Sequence, residues 1–437
     1  MAKRHSNKGS DLEALFLRME ELILANSAED PFEVVFKLLI AKLWDERSGR
    51  ERRFFARDDD GETTEAVDQL LREADIVWPG VIARPIEVPL TPSHMAVCVG
   101  PLARVNLSDA SMEVMDALFE FLVAKAAKGA KGQYFTPRHV VEFCVRCLSP
   151  QVGELVADPA CGSGGFLFHA LDYARQTHGL QGQAIVNYAK DNIWGFDFDQ
   201  RATRVARALL VFAGAGGENV YRVNSLLQPD MGGLSPLGGA GQAAGEPLLT
   251  IEDVCRTRMK KHRGFDVILT NPPFAGEVKE QEILNSYTLG AGAKRVERDV
   301  LFIERCVGLL RPGGRMAMVL PDNKFSARSY KDVREWLLKR TRVLAVVGLG
   351  RHTFLPHTHQ KTSILFLQRR DSDVPRDHNI FFAISEREGK NSKGQPVLRD
   401  GAPDVGPAWT RLDHDLGDIH EAFRNFCDSE SPNLWGT

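Results

Sequence analysis

The chain has 437 residues, enough for one large α/β domain with a smaller companion, and its hydrophobic fraction of 43% is ordinary for a globular protein. Its 55 Lys and Arg against 58 Asp and Glu leave a formal charge of −3, which excludes a chain-wide cationic signal for nucleic acid, so any contact with DNA falls to a local patch or a partner. Seven scattered cysteines without a signal peptide argue for reduced thiols in a cytoplasmic protein, and no apolar run reaches the ~20 residues that span a bilayer.

Residues 1–10 (MAKRHSNKGS) read as a polar, frayed tail. The region 1–128 is predicted as a mainly helical N-terminal domain for docking or DNA contact. In it DLEALFLRMEELILAN places apolar residues at 12, 15, 16, 19, 22 and 23 on one helical face, and EDPFEVVFKLLIAKLWDE repeats the pattern after Pro31. WPGVIARPIEVPLTPSH is too rich in proline for regular structure, whereas SMEVMDALFEFLVAKAAKG reads as a further helix ending at Gly129. In the next helix, VVEFCVRCL, Cys144 and Cys147 form a lone CxxC; packing is its reading, because a structural zinc site needs four ligands.

From about 150 short apolar strands alternate with helices. ELVADPA, NIWGFDFD, NVYRVNSL, FDVILTN, GRMAMVLPD, VLAVVGLG and SILFLQRR read as strands, and GFLFHALDYARQT, QRATRVARALLVFAG, DVLFIERCVGLLR and YKDVREWLLKR as helices. The alternation predicts an α/β, doubly wound fold over 129–371, with a parallel sheet covered on both faces. MGGLSPLGGAGQAAGEP at 231–247 is a glycine-rich surface insertion, and 372–437 is a polar C-terminal extension with one helix near DLGDIHEAFRNF.

Between the first strand and its helix, DPACGSGGF (158–166) sets Gly162, Gly164 and Gly165 where a ligand can approach the backbone and face a helix N-terminus. The spacing is neither GxGxxG nor a P-loop, so a hydride carrier or a triphosphate is disfavoured. Asp197 in GFDFD is placed to accept from a ribose diol, while Asp199, nearer the helix, suits an N-cap. RGFDVILTNPPFAGEVK breaks its strand at Asn271, Pro272, Pro273 and Phe274, where the prolines cannot donate to a ladder and leave preceding carbonyls available.

DPACGSGGF, GFDFD and NPPF together resemble the amino-methyltransferases that use S-adenosylmethionine. GQYFTPRHV at 132–140, just before them, is similar to the modification subunit of type I restriction-modification systems, a family of N6-adenine DNA methyltransferases. The resemblance extends from the helix near 37 to the helix near 413 and implies a Rossmann-like, class I S-adenosylmethionine-dependent methyltransferase domain. By that similarity Gln133, Tyr134, Phe135, Thr136, Pro137 and Arg138 cover the cofactor's methionine end, with Thr136 near its carboxylate. Asp158, Ala160, Gly162, Ser163, Gly164 and Gly165 line the cradle, and Asp197 holds the ribose. Asn224 in NSLL stands where the family usually has Asp, and its carbonyl could still accept from the cofactor's adenine amino group.

On the target side the Asn271 side-chain oxygen and the Pro272 carbonyl are suited to take both amino hydrogens of a flipped-out adenine, with Phe274 stacked on the base. By the same resemblance Phe354, in RHTFLPHTHQKTS, covers the other face of the base, and the other reading of it is a core phenylalanine near a strand. Lys279, Lys294, Arg295 and Arg298 flank a mobile loop after NPPF and meet either DNA phosphates or solvent. The HxH of His357 and His359 has no further ligand at metal spacing, so no metal is expected.

The resemblance implies double-stranded DNA, a DNA-specificity subunit, a restriction or translocase subunit and a second modification subunit as partners. Two other readings stand beside it. One is a methyltransferase acting on a protein glutamine amide, although such enzymes more often carry tyrosine after the prolines and lack a QYFTPR segment. The other is a non-catalytic, cofactor-binding assembly or DNA-sensing subunit.

Overall fold

The computed structural model of the chain describes residues 8–26, 29–107, 135–229, 249–259, 263–371, 378–402 and 408–430. The predicted helix at 111–129, the glycine-rich stretch at 231–247, and Gln133 and Tyr134 lie outside the described residues. The chain divides into two units, one of residues 1–129 with 204–218 and one of 130–203 with 219–437. The extension expected as a separate region at 372–437 thus belongs to the second unit, and most of one helix expected in the α/β domain belongs to the first.

In the first unit, α1 (Lys8–Asn26) and α2 (Pro31–Arg47) form where the 3.6-residue periodicity predicts helices, while α3 (Asp60–Val77) was not singled out and α4 (Pro92–Ala103) begins inside the proline-rich stretch expected to be irregular, with Pro92 at its first turn. Helix α2 starts at Pro31, with the Asp30 side chain accepting from the Phe32 amide at 3.0 Å, a cap that satisfies one of the orphan N–H groups. Nearly all of its length is buried, so it is apolar on most sides. Arg204 adds a bidentate pair to Glu33 at 2.7 and 2.9 Å and lies over the Phe36 ring.

The second unit is built on an eight-stranded sheet, among the described residues, formed by β1 (Val156–Asp158), β2 (Ile193–Asp197), β3 (Val220–Arg222), β4 (Phe265–Thr270), β7 (Leu310–Pro321), β8 (Thr341–Gly348), β9 (Thr362–Arg369) and β10 (Phe381–Ile384). A separate two-stranded ribbon joins β5 (Glu277–Val278) to β6 (Val296–Glu297). The sheet order is β10-β8-β9-β7-β4-β1-β2-β3. The helices here are α5 (Arg138–Leu148), α6 (Gly165–His178), α7 (Gln183–Asn192), α8 (Gln200–Phe212, passing into the first unit at Arg204), α9 (Ile251–Arg258), α10 (Gln281–Asn285), α11 (Arg298–Leu309), α12 (Asn323–Ser326), α13 (Lys331–Arg340) and α14 (Leu416–Glu430).

Strands β1 to β4 and β7 pair in parallel, which brings Asp158, Asp197, Arg222 and Thr270 to one edge of the sheet. That carboxyl edge is where parallel α/β sheets bind ligands. Buried Arg315 on β7 fixes α5 beneath it, pairing with Glu154 at 2.6 and 2.7 Å and donating to Leu148 O at 2.8 Å.

The expectation of an all-parallel sheet needs correction: β9 runs antiparallel to both β7 and β8. Hydrophobic periodicity carries no strand direction, so the reversal left no trace in the pattern. Helices α7, α9, α10 and α12 and strand β10 were not anticipated either; β10, FFAI, is a short apolar run inside an otherwise polar tail, and every second residue of it is exposed. Helix α1 starts at Lys8, inside the stretch expected to fray.

Candidate active site

The glycine-rich turn is stitched to its neighbours by backbone bonds. Cys161 N donates to Phe196 O and Gly162 N to Asp197 Oδ2, both at 2.9 Å, while Ala160 N donates to Asp158 Oδ1 at 3.0 Å. The turn takes this path because Gly162 and Gly164 adopt φ of 51° and 89°, a region closed to most side chains. Gly164 caps α6, whose N-terminus therefore faces the carboxyl edge of the sheet. A Cβ built on Gly162 meets nothing within 4 Å, so there is open space beside the turn. A Cβ on Gly165 would lie 2.1 Å from Arg138 Nη1, so the guanidinium at the start of α5 rests directly on that glycine.

Asp197 is the electrostatic centre of this side. Besides Gly162 N it accepts from Asp199 N at 2.8 Å, which orients the half-buried carboxylate at the end of β2. Burial pushes Asp197 up to about 6, against the opposing pull of those two amides. Asp199 caps α8, accepting from Ala202 N at 2.9 Å, as its position in the sequence suggests.

Asp158 is 1% exposed, and burial followed by the neighbouring Asp197 charge raises it to about 7 in spite of the Ala160 amide. A raised folded-state value means that the folded form holds a proton the unfolded chain has lost, so stability falls as pH rises from the unfolded value toward 7. Between pH 5 and pH 7 this group alone is expected to cost about 2 kcal/mol, at 1.36 kcal/mol per unit. Asp158→Asn cannot ionise and should flatten that part of the profile, which denaturant unfolding of both proteins at the two pH values checks.

Asn224 lies just past β3, and its Oδ1 accepts from Leu226 N at 3.1 Å, forming an Asx turn. That turn is fixed from behind by residues the sequence gave no reason to single out. Arg305 on α11 donates to Ser225 O at 2.6 Å and forms a bidentate pair with Glu252 at 2.7 Å, and the Tyr287 hydroxyl donates to Leu226 O at 2.7 Å. Ser225 Oγ in turn donates to Pro159 O at 2.6 Å, binding the Asn224 turn to the glycine-rich one.

On the other side Asn271 follows the last residue of β4, so the strand carries it to the carboxyl edge beside the β1 turn. Its Nδ2 donates to Thr136 Oγ1 at 2.9 Å. That bond sets the carboxamide with its oxygen on the side away from Thr136, and it unites the predicted target residue with the predicted cofactor cover. Pro272 is buried, whereas Pro273 and Phe274 are half-buried. Phe354 is 1% exposed and meets Phe274 edge to face, ring centroids 6.4 Å apart at 62°. Phe135 contacts the His357 ring at 6.0 Å, so the turn around Phe354 touches both sides of the site.

The segment after NPPF, expected as a mobile loop, carries the β5–β6 ribbon. Lys279, Lys294, Arg295 and Arg298 are exposed; Arg295 is 3.4 Å from Glu277, and Arg298 N donates to Gly276 O at 3.1 Å.

Residues 110–404 match the family described as N-6 DNA Methylase, well over half of the chain. The chain belongs to that family. Among the chain's curated relatives is the type I restriction enzyme EcoEI methylase subunit of Escherichia coli, 27% identical over 242 residues, which are 55% of this chain and 43% of that protein. The matched stretch thus spans less than half the length of the curated relative. In three dimensions the chain resembles a protein described as the modification subunit of a type I restriction enzyme from Vibrio vulnificus YJ016 (TM-score 0.64, 19% identity, 97% of this chain and 91% of that one). It also resembles one described as a class I S-adenosylmethionine-dependent methyltransferase from Listeria monocytogenes (TM-score 0.54, 14% identity, 86% and 92%). The fold of the chain is therefore of the class I S-adenosylmethionine-dependent methyltransferase type, preceded by a helical N-terminal region.

Proposed function

We propose that the chain transfers a methyl group from S-adenosylmethionine to the N6 amino group of a flipped-out adenine in DNA, as the modification subunit of a type I-like restriction-modification or host-defence system. The observation that carries this reading is the Asn271–Thr136 hydrogen bond, which joins NPPF to the QYFTPR segment at the carboxyl edge of the sheet. The site's residues fit the cofactor: open space beside Gly162, a helix N-terminus at Gly164, and an oriented Asp197 carboxylate able to accept from ribose hydroxyls. Gln133, Tyr134, Phe135, Thr136, Pro137 and Arg138 would cover its methionine end, with Asp158, Ala160, Ser163, Gly165 and Asn224 completing the wall.

S-adenosylmethionine, when bound, supplies an electrophilic methyl group on a sulfonium. The adenine amino group is a poor nucleophile because its lone pair is delocalised into the ring. Asn271 Oδ1 and the Pro272 carbonyl accept its two hydrogens, favouring a pyramidal nitrogen whose lone pair is directed at the methyl group. This is positioning and electrostatic stabilisation without a side-chain base. The prolines hold the acceptors rigid, and Phe274, backed by Phe354, stacks on the base and offsets part of the few kcal/mol of unstacking. Exposed Lys279, Lys294 and Arg298 are available to DNA phosphates. Sequence recognition falls to a specificity subunit, in keeping with the formal charge of −3. A second modification subunit and a restriction or translocase subunit complete the proposed assembly.

The test is tritiated methyl transfer to DNA with a DNA-specificity subunit present, followed by analysis of the nucleosides for N6-methyladenine. Label in a protein glutamine and none in DNA would favour the amide reading. Cofactor binding by calorimetry with no transfer to any DNA would mark a non-catalytic subunit.

A further inference from the structure

The turn that carries Phe354 is gripped from a distant part of the chain. The Glu388 carboxylate accepts from His352 N and lies 3.5 Å from the His352 ring Nδ1. Lys390 Nζ donates to Leu355 O at 2.7 Å. The two contacts fall on either side of Phe354, one before it and one after. Packing is tight on both flanks: a Cβ on Gly350 would lie 2.0 Å from Glu388 Cδ, and one on Gly394 would lie 3.0 Å from Leu355 Cβ. The gripping residues are themselves held, since Gly389 N donates to Asp413 O at 2.9 Å and Val397 N to Gly389 O at 2.9 Å. Bridges at Glu388–His414 and Lys390–Pro396 complete that framework.

Phe354 is fully buried, so its ring serves as an edge-on backing that sets the tilt of half-buried Phe274. We infer that Glu388 and Lys390 are positioning residues for the target base: the segment after β10 clamps the Phe354 turn and thereby fixes the aromatic platform on which the flipped base stacks. This inference rests on the methyltransferase reading given above. The same turn also meets Phe135 of the proposed cofactor cover through His357, so the clamp should act mainly on the DNA side and to a lesser degree on the cofactor.

The experiment compares Lys390→Met and Glu388→Ala with the conservative Lys390→Arg and Glu388→Gln in the full chain with its specificity subunit. Hydrogen exchange of the 350–357 peptide is expected to quicken about tenfold in the first pair, the opening expected when an anchoring charged hydrogen bond is lost, with 158–166 unchanged. Their kcat/KM for DNA should fall about tenfold, carried mainly by KM, with calorimetric affinity for S-adenosylmethionine falling by no more than about threefold. The conservative variants should restore both readouts. Unchanged exchange, faster exchange without a change in DNA kinetics, or a parallel loss of cofactor affinity would each overturn the inference. An unaltered complex that methylates no DNA would overturn the methyltransferase reading and the base-positioning role with it, an outcome visible before any variant is made.

Discussion

Asn271→Ala is expected to reduce methyl transfer to DNA by about 10²–10³-fold, the cost of removing one pre-aligned electrostatic contact to a reacting group. The substitution removes the carboxamide oxygen proposed to accept from the adenine amino group. It also removes the Nδ2 donor that fixes the side chain through Thr136 Oγ1 at 2.9 Å. A misplaced nitrogen keeps its lone pair in the ring, so the loss should appear in kcat more than in KM for DNA. The cradle formed by Asp197 and the glycine-rich turn does not depend on Asn271, since its bonds are to Gly162, Asp199 and Cys161. Affinity for S-adenosylmethionine should therefore fall by no more than about threefold, under 1 kcal/mol, the part lost with the Thr136 contact of the cofactor cover. Single-turnover transfer and calorimetry on the same preparation check both halves of the expectation. Transfer at the unaltered rate would sink the proposed mechanism.

The part of the site that could be read from the sequence is the part whose chemistry is local. Asp158 to Phe166 and Asn271 to Phe274 each follow the last residues of a strand within a few positions, so a strand prediction places them at a sheet edge at once. Asp199 as a helix cap and Asp197 as a carboxylate on the last residue of its strand are separable for the same reason. What supports these residues was not legible, because it arrives from far along the chain. Tyr287 reaches Leu226 across 61 positions and Arg305 reaches Ser225 across 80. Lys390 lies in a polar stretch with no motif, 35 positions beyond the carbonyl it grips. His357, noticed in the sequence for an HxH pattern, lies against Phe135 through a ring contact that spacing does not encode.

Lys324→Met should carry the largest stability cost, about 3–5 kcal/mol at pH 8, the range seen when one partner of a buried ion pair is removed. Lys324 is 3% exposed; its Nζ pairs with Glu297, lies 3.2 Å from fully buried Asp299, and sits 4.0 Å from the centre of the Tyr330 ring. Burial raises Asp299 to about 6 even with the lysine beside it. Without the cation Asp299 should titrate higher still, so at pH 8 the variant must carry an unpaired buried charge or take up a proton to fold. As pH falls through that raised value the proton is bound freely, and the deficit relative to the unaltered protein should shrink toward pH 5. Denaturant unfolding of both proteins at pH 5 and pH 8 checks the sign; a deficit that grows on acidification would refute it. The contact also has a functional side. Glu297 belongs to the β5–β6 ribbon, and the Tyr330 hydroxyl donates to it at 2.5 Å. The next residue, Arg298, holds Gly276 O through its amide at 3.1 Å, two positions beyond Phe274. The ion pair thus fastens the far end of the target-side loop, and loosening it should raise KM for DNA even where the variant remains folded.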